Sequence, residues 1–461
     1  MLQTLKNAFK NKEIRTKILI TLALLFAYRL GCWIPLPGLN TEVAWQGISM
    51  IGGQDNTLWT LLSAIGGQAL QQGALLAIGI SPYINASIIV QLLTVAIPYL
   101  EKQSKLGEDG KRRIANITRF VTLGLAIAQA VGIVISWYNV FDTETGMYAV
   151  KAIFGGVDRA WTATIMGVIL VAGAMFTMWL GELITELGVG NGMSLLIFVG
   201  IIASAGLALV AQIQAIVTST GDDQLRLIWV LIIFFVALLF IFLFIIWIDL
   251  AERKIPVSYA KQVKGRKQYG GQSTHIPIKV NANGVLPIIF STALLTFPQV
   301  IFQLILGGRQ EGGFFDFYQG WMKWVGTSSW IYFVLMGLLI LFFSYFYNQI
   351  QFKPDEVARN LQQYGGTLTG IRPGKPTADY LGRVSKRLTL FGAIFLAIIA
   401  IVPSLIFQQV PLFNNPADPF SKNLVNAFTA TGMLIAVSVA LELQKQLESL
   451  IMMKHYKGFL K

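Results

Sequence analysis

LWTLLSAIGGQALQQGALLAIGISPYINASIIVQLLTVAIPYL, residues Leu58 to Leu100, is apolar for longer than one membrane crossing needs, and it is interrupted at Gly66-Gly67, at Gln71-Gln72-Gly73 and at Pro82. About 20 apolar residues suffice to cross a hydrocarbon core. The pattern predicts a half-helix over Leu58 to Leu70, a break, and then a full membrane helix. Backbone interrupted at membrane depth survives only where it is buried in protein or lines a water-filled cavity, because lipid offers its N–H and C=O groups no partner. This stretch is therefore the first candidate for a pathway through a membrane.

The remainder of the chain agrees that a membrane is the solvent. Of 461 residues, 54% are hydrophobic and only 13% charged, too little charge to clothe a soluble globule of this size. Ten apolar runs lie near 18 to 36, 74 to 98, 116 to 138, 161 to 181, 192 to 216, 227 to 248, 284 to 306, 329 to 350, 388 to 410 and 425 to 443. Runs this long are helical spans and exclude a barrel. The sequence thus predicts an all-α protein with ten transmembrane helices.

Lysine and arginine give the orientation. Of the 36, 28 fall in the terminal and alternate inter-span segments, while Lys151, Arg159, Arg226, Arg309, Lys323 and Lys422 occupy the other set, Arg29 sits in the first run and Arg119 near the start of the third. The positive-inside rule then places both termini in the cytoplasm. A formal net charge of +13 follows from topology before any nucleic-acid partner need be invoked. The basic lead-in KNAFKNKEIRTKILI reads as a surface helix, and the first run, which lacks a small-residue cleavage site, as a retained span.

Two cytoplasmic loops, 249 to 283 and 351 to 387, are long enough to carry structure of their own. The first has β-branched runs around Lys264-Gly265-Arg266-Lys267 and reads as a hairpin with a basic tip. In the second, GIRPGKP holds Arg372 at a rigid bend, where it is either a topology charge or a fork for a carboxylate or phosphate. Glu182 and Glu186, four apart in GELITELGVGNG, read as a solvated loop face rather than as ligands. Span 2 (GISPYINASII) and span 7 (GVLPIIFSTAL) share a Gly-then-Pro pattern, each second in a group of five, which suggests inverted halves 1 to 216 and 227 to 444 of one channel domain, 1 to 461. No nucleotide-binding GxxxxGK[ST], zinc spacing or midplane acid is present, so a passive conduit driven by something else is expected, with no catalytic residue, cofactor or metal.

The segments GISPYINASIIVQLL, GVGNG, QSTHIPIKVNANGVLPIIF and GIRPG occur in this order across ten spans. In them the chain resembles the SecY family, the channel subunits of the bacterial protein-export translocase. The resemblance implies two inverted five-helix halves and a channel that passes unfolded secretory chains across the plasma membrane and releases membrane segments sideways into lipid. It places an apolar pore ring on Ile80, Ile84, Met193, Ile197, Ile289 and Ile435, with Met193 softer than the family's usual isoleucine. A short re-entrant plug helix would run from Trp59 to Gln71, including Leu62, Ile65, Gly66, Gly67 and Leu70. A lateral gate would carry Asn85, Ser87 and Gln91 on span 2 against Thr292 and Thr296 on span 7. Arg253, Lys264, Arg266, Lys267 and Arg372 would meet the motor ATPase SecA or the ribosome. The implied partners also include the small membrane subunits SecE and SecG, secretory preproteins with their signal sequences, and membrane lipid.

Overall fold

The computed structural model describes residues 9, 11–44, 66–104, 106–142, 147–152, 158–259, 262–264, 267–269, 273–281, 284–306, 313–326, 329–409 and 430–458. The chain forms two compact units: Met1–Leu231 with Ala293–Tyr332 and Phe407–Lys461, and Ile232–Thr292 with Phe333–Ile406.

In the first unit, helix α1 (Lys12–Gly31) is capped by Asn11, whose side chain accepts from Glu13 N at 3.3 Å. From Lys12 onward the basic lead-in and the first apolar run are therefore one continuous helix, which stops at Gly31 and leaves Pro35 in an isolated bridge to Ala74. Helix α2 (Ser81–Ala96) bends by 104° at Ile97 into the short α3 (Pro98–Ser104). Helices α4 (Glu108–Tyr138), α5 (Arg159–Leu187) and α6 (Gly192–Thr218) follow, α4 and α5 being separated by a small hairpin of β1 (Phe141–Asp142) and β2 (Met147–Tyr148). The core of this unit packs Trp137, Met166 and Leu170 against alanines 126, 130 and 174, small residues that let helices approach closely. A second cluster joins Ile14 of α1, Val189 of the α5–α6 turn, and Leu447 of a last helix, which we number α13 (Ala430–Gly458). The start of α1 and the later part of α13 thus lie together.

Helix α7 (Asp222–Asp249) is apolar on all sides, and Phe240 and Trp247 are exposed. A helix of that composition with so little of it buried faces lipid. Together with α4, α5, α6, α10 (Trp330–Gln351) and α12 (Lys375–Gln409), it makes six helices long and apolar enough to cross a membrane among the described residues, and seven if the bent pair α2–α3 is one span. The other expected runs fall on α1, which carries Lys12, Glu13, Arg15, Lys17 and Arg29, on α8 (Leu286–Leu306), and on α13, whose described part begins inside the run.

The second unit carries the two long loops, and they are not separate. Strand β3 (Glu252–Tyr259) pairs antiparallel with β6 (Ser273–Lys279) on one side and with β7 (Gly366–Leu368) on the other. Alternation puts Ile255 and Val257 on the inward face, where they meet Ile278, Leu361, Leu368 and Leu381. Leu361 comes from α11 (Pro354–Gln363) and Leu381 from α12. The root of the sheet is pinned by a buried Asn281 Nδ2 donating to Asp249 Oδ1 at 3.0 Å and by Val280 N donating to Ala251 O at 3.0 Å. At its far end β4 (Gln262–Lys264) pairs with β5 (Lys267–Tyr269), Lys264 opposite Lys267, which is the basic-tipped hairpin the sequence implies.

Candidate functional site

The described part of the opening stretch, 66 to 80, is turn and bridge throughout, not helix. Gly67 (φ 67°), Gln68 (φ 65°), Gly73 (φ 54°) and Gly79 (φ 61°) stand in the left-handed region, and no right-handed helix can run through them. This corrects two expectations. The half-helix does not reach Leu70, and span 2 begins at Ser81, not at residue 74, with Pro82 in its first turn, where a missing N–H costs nothing. Gln68 is the sole non-glycine with positive φ among the described residues.

This irregular segment is buried, and its backbone finds partners. Ala69, Ala74 and Leu76 are fully enclosed. Leu36 N donates to Gly73 O and Leu75 N to Ile34 O, each at 2.8 Å, and Ala74 N to Ala69 O at 2.9 Å. Arg29, the charge late in α1, donates from Nη1 to Gly67 O at 3.3 Å. Glycines on three helices make the room: a Cβ at Gly31 would strike Leu76, one at Gly173 would strike Leu75 O, and one at Gly67 would meet Arg29 and the Gly200 backbone. Of the expected plug, Gly66, Gly67 and Leu70 are buried here, while Trp59, Leu62 and Ile65 lie outside the described residues.

The ring positions are distributed as follows. Ile80 is the N-cap of α2 and is buried; Ile84 follows one turn on, with its N–H bonded to Ile80 O at 3.1 Å. Met193 and Ile197 occupy the first two turns of α6, which Asn191 caps by accepting from Met193 N at 3.0 Å and Ser194 N at 3.4 Å. Met193 is half-buried and Ile197 buried; a Cβ at Gly181 of α5 would collide with the Met193 sulfur, so that glycine is what admits the thioether. Ile435 is buried on α13. Ile289 lies half-buried on α8.

The two Gly-then-Pro segments match in backbone as well as in sequence. Gly79 has φ 61° and Gly284 φ 60°; each is followed two residues later by the first residue of a helix, Ser81 or Leu286, and then by proline, Pro82 or Pro287. Ile84 and Ile289 each stand two residues beyond that proline. They occupy the same position in two copies of one local structure.

Among the gate residues, Gln91 Nε2 donates to Ser87 Oγ at 3.1 Å, within α2, and Asn85 is half-buried beside them. Thr292 Oγ1 lies 2.9 Å from Ile289 O and Thr296 Oγ1 3.0 Å from Ala293 O, both on α8. These bonds are local to their own helices.

On the sheet unit, Arg372 lies between β7 and α12. Gly370 (φ 81°) and Gly374 (φ 96°) flank it, and its carbonyl accepts from the buried Thr377 Oγ1 at 2.8 Å. The backbone is thus held while the guanidinium remains exposed with no side-chain partner among the described residues. Arg253 is exposed at the start of β3. The side chains of Lys264 and Lys267, and Arg266 altogether, lie outside the described residues.

Sequence reasoning missed the partner of Glu182. Helix α5 runs through to Leu187, so Glu182 is helical, and it takes a two-pronged bond from Arg119 of α4, Nε to Oε1 at 2.9 Å and Nη2 to Oε2 at 2.8 Å. The expected solvated loop face is corrected accordingly. The basic residue carried no mark in the sequence, being 63 positions away.

Buried, hydrogen-bonded irregular backbone among apolar helices defines the class: a multi-pass membrane protein of the channel or transporter kind. The SecY family model matches residues 74–444. The protein translocase subunit SecY of Corynebacterium glutamicum is 38% identical over 459 residues, covering 98% of this chain and 99% of that protein. A solved SecY, described as having a plug domain that stabilizes the closed state of the translocation channel and maintains a membrane seal, aligns with a TM-score of 0.63 at 18% identity over 94% of this chain and 92% of its own. Sec61 in the canine ribosome–channel complex from the endoplasmic reticulum aligns at 0.58 with 17% identity over 94% and 92%. The chain belongs to the SecY family of protein translocase subunits.

Proposed function

We propose that this chain is the protein-conducting subunit of a bacterial preprotein translocase, passing unfolded secretory chains across the plasma membrane and releasing membrane segments sideways. The observation that carries the reading is the buried segment 66 to 80, which delivers Ile80 and Ile84 to the start of α2 in a chain of this family. Ten spans in two inverted halves, 1 to 216 and 227 to 444, are the finer architecture. The matched helix starts at Gly79 and Gly284 support it.

In this reading Ile80, Ile84, Met193, Ile197, Ile289 and Ile435 form an apolar constriction. Such a ring blocks ions by shedding water, yet yields to a chain of any composition because it makes no specific bond. Trp59 to Gln71 is the plug that rests against it. Asn85, Ser87, Gln91, Thr292 and Thr296 line the side door, whose interhelical bonds, typically worth below about 1 kcal/mol in membranes, leave it easy to part.

Energy comes from outside the chain. Both termini and the β3–β6–β7 sheet face the cytoplasm, where Arg253, Lys264, Arg266, Lys267 and Arg372 meet SecA or ribosomal RNA, and SecE and SecG complete the membrane complex. The Sec61 neighbour, solved on a ribosome, supports the ribosomal partner. The deciding experiment places a photo-crosslinking residue at Ile84 and stalls a secretory chain in transit. Adducts should form there and not at lipid-facing Phe240 of α7; equal labelling at both positions would refute conduction through this route.

A further inference from the structure

Between α8 and α10 lies the aromatic helix α9 (Gly313–Val325), GFFDFYQGWMKWV, for which a conducting role offers no use. Its faces divide three ways. Tyr318 is buried, and Phe302 of α8 packs its ring 5.7 Å from Tyr318, 5.9 Å from Phe317 and 6.0 Å from Trp321, so one side rests on the protein. Asp316, Gln319 and Lys323, three and four apart, form an exposed polar side. Between them runs a third strip, Gly313, Phe317, Gly320 and Trp324, whose two rings are largely exposed, Phe317 at 59% and Trp324 at 63%, although Phe317 also touches Phe302.

The chain runs from α9 almost directly into a candidate membrane span. After Ser329 begins α10, a candidate span, and Trp330 at its head is 75% exposed. Below it, one helical turn apart, Val334, Leu338 and Phe342 are exposed too, an apolar row on a helix that crosses lipid. A spanning helix has its first residue at a membrane face, and only four residues, 326 to 329, separate α9 from that residue. Tryptophan favours that depth because its ring is apolar and its N–H seeks water.

We propose that α9 is an interfacial anchor: Phe317 and Trp324 insert at the boundary of headgroups and acyl chains, and Asp316, Gln319 and Lys323 stay in water. The partner is a phospholipid surface. The proposal requires only that the chain is a multi-pass membrane protein; failure of the Ile84 crosslink leaves it standing, and its own failure leaves conduction standing.

The test uses the full chain in phosphatidylcholine–phosphatidylglycerol vesicles. Buried Cys32, the single cysteine, is replaced by alanine, and one new cysteine is placed at Phe317, Gln319, Trp324 or Trp330 and labelled with an environment-sensitive fluorophore. Lipids carrying a shallow nitroxide should quench labels at 317, 324 and 330 several-fold more than aqueous iodide does, and the order should reverse at 319. Iodide quenching at 317 and 324 equal to that at 319 overturns the proposal. So does protection from both quenchers, which would mean that a partner protein covers the strip. Thermal melting of each labelled variant identifies any that misfold, and the 330 position reports independently of α9.

Discussion

Arg119 of α4 and Glu182 of α5 are joined by two parallel hydrogen bonds of 2.9 and 2.8 Å, a planar fork that fixes the direction as well as the distance between the two helices. Arg119 Nη1 also reaches Asn116 Oδ1 at 3.1 Å. If span 3 lines a side door, this fork ties it to span 4 so that the two move as one piece.

The side chains of the pair are 44% and 24% exposed, so solvent screens it, and a coupling of no more than about 1 kcal/mol is expected. Arg119→Glu and Glu182→Arg should each lower the melting temperature in detergent, and the double reversal should recover most of the loss. A double variant as unstable as the sum of the singles would show that the fork contributes nothing.

Gly67→Val should destabilise the first unit. A left-handed φ costs an L-residue roughly 1–2 kcal/mol, and here the new side chain also displaces Arg29 and presses on Gly200. Gly124→Ala, inside α4 with open space at its Cβ, should be neutral or stabilising. The contrast is read by thermal unfolding of the two variants; equal effects would remove the special role of the segment.

Ile84→Gly and Ile289→Gly should open the same leak, since the two residues share one position beyond matched prolines. Ion flux through reconstituted vesicles without substrate measures it. A tight membrane in both variants argues against the ring.

Arg372→Glu should abolish motor-driven export while the protein remains inserted and protease-resistant. Arg372→Lys should fall between, because an ammonium cannot fork. Undiminished export by the glutamate variant would dismiss the docking role.

Leu368→Ala should disable export by another route. Leu368 is buried where β7 joins β3, and truncating a buried leucine costs about 2–5 kcal/mol. The sheet should then become sensitive to limited proteolysis, which Arg372→Glu should not cause. Resistance equal to wild type would mean that the pairing of the two loops is dispensable.

Much of this protein is legible in its sequence because lipid imposes a simple code. Long apolar runs must be helices, since only a helix bonds its own backbone without water, and the lysines and arginines between them are concentrated in alternate segments. Alternation in ERKIPVSY marks a half-buried strand, and Gly-x-x-Pro at 79 to 82 and again at 284 to 287 marks two helix starts. The bend at GIRPG is equally local.

What the tertiary structure decided is whatever depends on partners remote in the chain. Residues 66 to 70 and 74 to 80 read as helix on either side of a break; they are turn because Gly31, Gly173 and Gly200 let other helices close around a left-handed backbone that Arg29 then bonds. Val257 meets Leu368 across two loops that the sequence separates by whole spans, and Arg119 finds Glu182 on another helix. The opening stretch therefore had its composition and its breaks from sequence, but its backbone path from packing, because a positive φ is tolerated only where neighbours leave room and supply the hydrogen bonds.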